Sequence, residues 1–159
     1  MIKLYHGSTC DIQKIDLSIS KPNKDFGRGF YLSRDESQAL ELAEYKAFQI
    51  GGKPMVNIYE FDENVLNNGQ LKVKTFDGYT EEWAKFVFDN RTSADGESTH
   101  SYDIVIGPIA NDKVGLQIRR YMESEITFET FIQRLQYMKG ITFQYFFGTE
   151  AAIKFLKKV

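Results

Sequence analysis

The nine residues from Asp25 to Ser33, Asp-Phe-Gly-Arg-Gly-Phe-Tyr-Leu-Ser, constrain the fold of this chain more than any other stretch. The two glycines permit backbone conformations that side chains forbid, and they let a ligand approach the main chain closely. The run Phe30–Leu32 is typical of a short β-strand. Ser33 and Glu36 have the spacing of a capping box, which predicts that a helix begins there. The stretch therefore predicts either a platform that presents an aromatic ring to a ligand or a tight turn into a strand.

Length and composition indicate one soluble globular domain that covers residues 1–159. Hydrophobic residues make up 42% of the chain and charged residues 26%, which is ordinary for a globular protein. No signal peptide precedes the first strand and no apolar run is long enough to cross a membrane, so we expect a cytoplasmic protein without membrane partners. The single cysteine, Cys10, excludes an intrachain disulfide, and with only His6 and His100 beside it we expect no metal site.

The charge distribution argues against extended, non-specific binding of nucleic acid. The formal net charge is -2, and residues 51–105 carry 5 Lys or Arg against 10 Asp or Glu. Binding to a phosphate backbone requires several cations on one face. A local cationic pocket remains compatible with these numbers.

Hydrophobic periodicity and turn signals predict interspersed strands and helices without a regular alternation. Strands are predicted at residues 2–7, 30–32, 55–61, 71–75, 102–106 and 141–147. Helices are predicted at residues 35–50, from Thr80 onward, at 112–123, from 127 to about 137, and at the C-terminus. We expect Leu40, Ala43, Ala47 and Ile50 to form the buried face of the first helix, and Lys154, Lys157 and Lys158 to lie at the end of the last one. The pattern predicts an α+β fold with a mainly antiparallel sheet, split in two, and helices packed outside.

Four polar residues are candidates for chemistry. His6, at the end of the first strand and before Gly7, could donate a hydrogen bond to a ligand hydroxyl, or it could be a histidine satisfied by a nearby carbonyl. Gln144 lies among aromatic residues of the last strand, where it faces either a cleft or solvent. Glu150 could supply a carboxylate to the same cleft or be an ordinary acid of a first helical turn. His100 lies in a polar loop, where we expect it to face solvent.

The order of these motifs resembles that of ADP-ribosyltransferases. Tyr5-His6-Gly7 on a first strand, Gly27–Leu32 on a second and Gln144 on a late one match the three-part signature of the diphtheria-toxin/PARP branch. The whole chain also resembles a bacterial family of domains of unknown function with that fold. Five blocks carry this resemblance in order: Leu4–Ser8, Asp25–Tyr31, Glu82–Arg91, Tyr102–Pro108 and Gln144–Ala151.

The resemblance implies a split β-sheet fold that binds NAD as a co-substrate, without a metal, in the cleft between its sheets. His6, Tyr31 and Gln144 are the catalytic residues that it implies: His6 would hold the ribose on the nicotinamide side, and Tyr31 would stack on the nicotinamide ring. The Gly7 backbone would bind the carboxamide, and Phe26 and Arg28 would border the dinucleotide. Gln144 departs from the usual Glu, because its amide orients a hydroxyl without supplying negative charge or acting as a base.

The function implied by this resemblance is NAD-dependent mono-ADP-ribosyl transfer. We expect a bacterial toxin of a toxin–antitoxin or defence system, with a small antitoxin protein as its partner. The acceptor could be a protein, a nucleic acid or a small molecule. The alternative is a catalytically inactive module that binds NAD, a nucleotide or a protein in the same cleft, and the neutral Gln144 favours it. An enzyme acting on a phosphorylated RNA end is a third reading, which the lack of a clustered basic face disfavours.

Overall fold

Two β-sheets and a layer of helices form an α+β fold. The computed structural model describes residues 1–136 and 140–159. The strands and α-helices of these described ranges are, in chain order, β1 (Ile2–Ser8), β2 (Phe30–Leu32), α1 (Glu36–Ile50), β3 (Met55–Phe61), β4 (Val73–Thr75), α2 (Glu81–Arg91), β5 (Ile104–Pro108), α3 (Asp112–Met122), α4 (Phe128–Gln136), β6 (Phe143–Phe147), α5 (Glu150–Ile153) and β7 (Lys157–Lys158). Two short 3-10 helices lie at Leu17–Ile19 and Glu63–Leu66. The end of the helix that we predicted at about residue 137 lies outside the described residues.

The sheet is split, as the sequence predicted. The first sheet has the strand order β1-β3-β7 and is antiparallel, whereas the second has the order β2-β6-β5-β4 and contains one parallel pair, β4 with β5. One antiparallel bridge joins the two sheets: the Tyr5 N–H donates to the Ser33 carbonyl at 2.8 Å, and the Ser33 N–H donates to the Tyr5 carbonyl at 2.9 Å. Beyond this bridge β1 and β2 diverge and leave a cleft between the sheets.

The second sheet is buried on both faces, which gives the fold two hydrophobic cores. Val105 and Phe146 face α2, α3 and α4 in one core. Tyr145 and Phe147 face the first sheet in the other core, together with Ile104 and other residues. Strands covered on both faces read as continuous apolar runs rather than as alternating ones. This explains the uninterrupted burial of β5 and most of β6.

Helix α1 begins two residues later than the predicted capping box requires. Asp35, rather than Ser33, is the N-cap, and its Oδ1 accepts from the N–H groups of Ser37 and Gln38. The Ser33 hydroxyl instead donates to Gln38 Oε1 at 2.6 Å and accepts from the Asp35 N–H at 3.0 Å. The strand bridge with Tyr5 holds the Ser33 backbone extended, so the first helical turn cannot start there.

Two further predictions about helices were wrong in part: Ala43 of the predicted face of α1 is buried, but Leu40 and Ile50 are not. The side of α1 that packs on the sheet carries Ala39 and Ala43, while Leu40 is 42% exposed and Ile50 is 75% exposed. Close approach of the helix to β1 favours small residues at this contact. Lys157 and Lys158 do not extend the last helix but form β7 beside β3. By contrast, Thr80 caps α2 as predicted, accepting from the Trp83 N–H at 3.1 Å.

Candidate functional site

A small cavity lies where the two sheets diverge. Its volume is about 60 Å³, room for no more than a few water molecules. β1, β2, α1 and the neighbouring ends of β5 and β6 contribute its walls: Tyr5, Gly7, Tyr31, Leu32, Ser33, Gln38, Ala39, Leu42, Ile109 and Gln144. Three of the residues that the sequence singled out, Gly7, Tyr31 and Gln144, therefore meet at one cavity.

Gly7 offers its backbone to this cavity because α1 packs directly on it. A Cβ atom at this position would lie 2.0 Å from the Ala39 carbonyl oxygen, so only glycine fits beneath the helix. Tyr5 pairs across the junction with Ser33, and alternate residues of a strand direct their N–H and C=O groups to the same side. The Gly7 N–H and C=O thus point into the cleft rather than to β3. The carbonyl accepts a hydrogen bond from Lys46 Nζ at 2.8 Å.

Tyr31 forms an aromatic wall of the cavity and is held at both ends. Its hydroxyl donates to the Gly27 carbonyl at 2.6 Å and accepts from the Phe26 N–H at 3.0 Å. Gly27 has a φ of 93°, which favours glycine, and this turn is what brings its carbonyl to the Tyr31 hydroxyl. Burial, and then the negative charge of Asp25, raise the pKa of the Tyr31 hydroxyl well above its usual value. Tyr31 is therefore a protonated, oriented ring and not a base.

Gln144 is oriented by a buried carboxylate that the sequence did not predict as a site residue. Its Nε2 donates to Asp25 Oδ2 at 2.9 Å and lies 3.5 Å from the Pro108 carbonyl oxygen. Both partners are acceptors, which fixes the direction of the amide. The Gln144 Oε1 is consequently the atom left to accept a hydrogen bond at the cavity. Both side chains are buried, each residue being 8% exposed.

Asp25 is itself held by an arginine from α2. Its Oδ1 accepts from Arg91 Nε at 2.8 Å and from Arg91 Nη2 at 2.7 Å. Its Oδ2 accepts from the Ala110 N–H at 3.0 Å as well as from Gln144. A buried charge of this kind requires a partner and several hydrogen bonds, and Asp25 has both. The sequence signal for this arginine was the Asn-Arg pair that ends the Glu82–Arg91 block. The partner of Arg91, Asp25, lies 66 residues earlier in the chain.

His6 supports the cavity from behind rather than lining it. Its side chain lies on the opposite face of β1 from Gly7 and stacks on Phe30, with 4.1 Å between ring centroids. Its Nδ1 donates to the Tyr31 carbonyl at 2.6 Å. Burial, and then the nearby cations Lys46 and Lys24, lower the pKa of His6 to about 4. The imidazole is therefore neutral at physiological pH, with Nε2 as an acceptor.

Lysines that the sequence reasoning missed surround the mouth of the cavity. Lys46 reaches Gly7, and Lys24 places its Nζ 5.3 Å from the centroid of the Tyr31 ring. Burial, and then the charges of Lys24 and Lys21, lower the pKa of Lys46 to about 8. Burial, and then the charge of Lys21, likewise lower the pKa of Lys24. Among the described residues none of the three has a carboxylate within 4.0 Å, so this mouth is a region of uncompensated positive charge.

The two other residues expected to border a ligand lie elsewhere. Phe26 is fully buried in the helix-side core, 6.4 Å from Tyr31 between ring centroids, so its side chain backs the Tyr31 ring and has no surface for a ligand. Arg28 directs its guanidinium to the loops, donating from Nη1 to the Ser20 carbonyl at 3.0 Å and lying 3.5 Å from Glu97. Neither side chain lines the cavity in the part of the chain that the structure describes.

Glu150 and His100 take structural positions. Glu150 is an exposed residue in the first turn of α5, at the opposite end of β6 from Gln144, so it does not supply a carboxylate to the cavity. His100 does not face solvent as expected: its Nε2 donates to the Phe26 carbonyl at 2.7 Å, and its Nδ1 accepts from the Tyr102 N–H at 3.0 Å. In residues 1–136 and 140–159 no three potential metal ligands cluster together.

The site combines an oriented amide oxygen, a free strand edge, an aromatic face and a cationic mouth. Such a set suits a flat, polar ring that is joined to an anionic group. None of the helices within the described ranges is long and apolar enough to span a membrane.

Comparison with known proteins gives a family and no further relative. No curated protein matches the chain, and no solved structure does. A family model described as a protein of unknown function (DUF3990) matches residues 2–158, which is nearly the whole chain and includes every residue of the cavity. The chain therefore belongs to the DUF3990 family.

Proposed function

We propose that this protein is an NAD-dependent mono-ADP-ribosyltransferase. The observation that carries the proposal is the meeting of Gly7, Tyr31 and Gln144 at one cavity, with the Gln144 Oε1 left free by the hydrogen bonds of its Nε2. In this reaction the bond between ribose C1′ and nicotinamide breaks, nicotinamide leaves, and a nucleophile of the acceptor bonds to C1′ and loses its proton. The relationship to ADP-ribosyltransferases remains a proposal that rests on motif order and on this arrangement.

Each wall of the cavity has a role in the proposal. The cleft-facing N–H of Gly7 binds the carboxamide, and Tyr31 stacks on the ring. The Tyr31 face already attracts a cation, Lys24, at 5.3 Å, and a positively charged pyridinium would gain from the same attraction. The Gln144 Oε1 accepts from a ribose hydroxyl. The neutral His6, behind the cavity, fixes the position of β2 through the Tyr31 carbonyl.

The carboxylate of Asp25 explains why residue 144 is a neutral glutamine. A glutamate there would place a second carboxylate against Asp25 Oδ2 and the Pro108 carbonyl, where like charges and unshared acceptors repel. Glutamine satisfies both acceptors and still presents one oxygen. It does not act as a base, so the acceptor must supply a nucleophile that needs no deprotonation by residue 144. The proposal is accordingly limited to a single transfer.

The groups that line the cavity suit NAD, but the cavity is too small to hold it in the conformation described. Pockets for ligands of this size usually enclose about 300–1,000 Å³, and this cavity encloses about 60 Å³. Binding therefore requires the mouth to open, and the half-exposed Leu42 of α1 and the exposed Lys24 are the groups in the way. After that movement Lys21, Lys24 and Lys46 would face the pyrophosphate. Arg28, which the resemblance placed at the border of the dinucleotide, does not take part, because its guanidinium is bound to Ser20 and lies beside Glu97.

The test measures nicotinamide release and transfer of label from NAD to macromolecules of a bacterial lysate. We expect the wild-type protein to release nicotinamide and Gln144→Met to lower the rate at least about tenfold, because Met keeps the volume and loses the acceptor. His100→Asn, a histidine variant away from the cavity, should retain the wild-type rate. Calorimetry with NAD and circular dichroism accompany each variant, so that misfolding is not read as lost chemistry. Absence of turnover and of NAD binding in the folded wild-type protein would refute the proposal.

A second function, a catalytically inactive binding module, is favoured by one observation. Gln144 is neutral, and the carboxylate beside it, Asp25, is already paired with Arg91. Saturable NAD binding without nicotinamide release, unchanged by any lysate, is the outcome that supports this alternative over the enzyme.

A further inference from the structure

A second and larger cavity lies between α2 and α3, outside the cleft. Its volume is about 410 Å³, within the range of small-molecule sites. Phe88, Leu116 and Ile118 supply an apolar floor, and Arg91, Asp112 and Arg119 supply the charged groups. We call this cavity the α2–α3 groove. It shares only Arg91 with the polar network behind Gln144.

Arg91 directs unused donors into the groove. Its Nε and Nη2 bind Asp25, and Nη2 also donates to the Ala110 carbonyl. Its Nη1 lies against Gly115 of α3, where a Cβ atom would stand 2.2 Å from it. Nη1 has no hydrogen-bond partner in the described ranges. A guanidinium carries five N–H donors, so the two on Nη1 remain available to a ligand.

Two guanidinium groups on the groove lining, from Arg91 and Arg119, favour an anionic ligand. Gly115 lies between Asp112, one turn before it, and Arg119, one turn after it on the same helix face. Neither Asp112 nor Arg119 forms an ion pair with a residue of the described part of the chain. Arg91 and Arg119 thus place two guanidinium groups on the lining of the groove, beside one carboxylate, that of Asp112. Guanidinium groups bind carboxylate and phosphate oxygens strongly and with defined geometry.

We propose that the α2–α3 groove binds a small aromatic anion, with its carboxylate or phosphate between Arg91 Nη1 and Arg119 and its ring on Phe88 and Leu116. The proposal is independent of the reaction at the cleft. It has one consequence there, because Arg91 also binds Asp25, and Asp25 orients Gln144. A ligand on Nη1 should therefore change the environment of the Gln144 side-chain amide.

The test uses phenyl phosphate and benzoate as probes, with benzyl alcohol as the neutral counterpart, in an NMR titration of ¹⁵N-labelled protein. We expect saturable shifts of the Arg91 Nε signal and of the α3 amides at millimolar concentrations or lower, smaller shifts of the Gln144 amide, and none with benzyl alcohol. Arg119→Gln should weaken binding at least about fivefold. Lys113→Gln is the control, because it removes the same charge from α3 at a position that does not line the groove.

Leu116→Glu provides a second variant that leaves the Arg91 network intact. Leu116 is 37% exposed, so the fold tolerates a polar side chain there. The carboxylate of the introduced glutamate should repel both anions and abolish their binding. The proposal is overturned if neither anion binds saturably, or if Arg119→Gln and Lys113→Gln weaken binding equally. It is also overturned if the shifts centre on Lys24 and Lys46, since the anions would then occupy the cleft.

Discussion

At the scale of single residues, His6 makes the junction between the sheets sensitive to pH. Its pKa is about 4 in the folded protein and near 6.5 in an unfolded chain. Between these values the unfolded state binds a proton that the folded state does not, so the free energy of unfolding falls as the pH falls through this window. A difference of about 2.5 pH units corresponds to roughly 3 kcal/mol.

We therefore predict that the wild-type protein loses more stability between pH 7 and pH 4 than His6→Asn does, measured by urea unfolding at each pH. The ring-proton shift of His6 should titrate near pH 4 in the folded protein. His100→Asn assigns the two histidine signals and leaves the His6 midpoint in place. A His6 midpoint near 6.5 contradicts the prediction, because the imidazole would then be hydrated rather than buried.

The sequence predicted site residues that stand in local motifs. It did not predict the contacts between residues that lie far apart in the chain. Gly7, Tyr31 and Gln144 stand in recognisable motifs, and the structure brings them together. Asp25 stood within the first motif that we singled out, yet its role depends on Arg91 and Gln144, which are 66 and 119 residues away. No spacing rule links such partners. Phe26 and Arg28 show the converse, because they stand in the same motif as Tyr31 and yet do not line the cavity.

At the scale of elements, the contact between α1 and β1 depends on the absence of one side chain. The Ala39 carbonyl lies where a Cβ of residue 7 would be, at 2.0 Å, and the obstacle is backbone. We predict that Gly7→Ala lowers the free energy of unfolding by about 2–3 kcal/mol, since the helix must shift to make room. Gly78→Ala is the matched control. Nothing lies within 4 Å of its Cβ position, so its stability should stay within about 0.5 kcal/mol of the wild type in parallel urea titrations.

A Gly7→Ala protein as stable as the control would show that α1 does not rest on β1 as described. The same contact explains why the buried face of α1 was mispredicted. Periodicity alone favoured Leu40 and Ile50, but the helix lies so close to the strand that Ala39 and Ala43 are the residues that fit. Lys157 and Lys158 were mispredicted for a related reason: β3 offers a free edge to them, and a free strand edge is not visible in the chain's own periodicity.

At the scale of the whole molecule, Asp25 connects parts of the fold that are otherwise held by hydrophobic contacts. It lies before β2 and binds Arg91 at the end of α2, Ala110 after β5, and Gln144 on β6. The α+β class and the split sheet could be predicted because strand and helix periodicities are local. The polar network around Asp25 could not, because Arg91, Ala110 and Gln144 meet Asp25 only once the helices are packed on the second sheet.

The final prediction is that the Asp25–Arg91 pair contributes cooperatively to the stability of the whole fold. Breaking a buried ion pair leaves an uncompensated charge and costs about 3–5 kcal/mol. Asp25 is buried and Arg91 is half-buried, so we expect losses at the lower end of this range for Asp25→Asn and for Arg91→Met. The double variant should lose clearly less than the sum of the two, with a coupling energy of at least about 2 kcal/mol. Urea unfolding followed by Trp83 fluorescence reports the helix-side core, because Trp83 is fully buried there.

The matched control is a second double-variant cycle on the same helix, Lys85→Met with Asp89→Asn. This pair is an exposed i, i+4 ion pair, and such pairs contribute less than about 1 kcal/mol. Far-ultraviolet circular dichroism should give the same midpoint as fluorescence for each Asp25 and Arg91 variant, because we expect the domain to unfold in one cooperative transition. A coupling energy at Asp25–Arg91 no larger than that at Lys85–Asp89, or fluorescence and dichroism midpoints that separate, would mean that the two cores are stabilised independently.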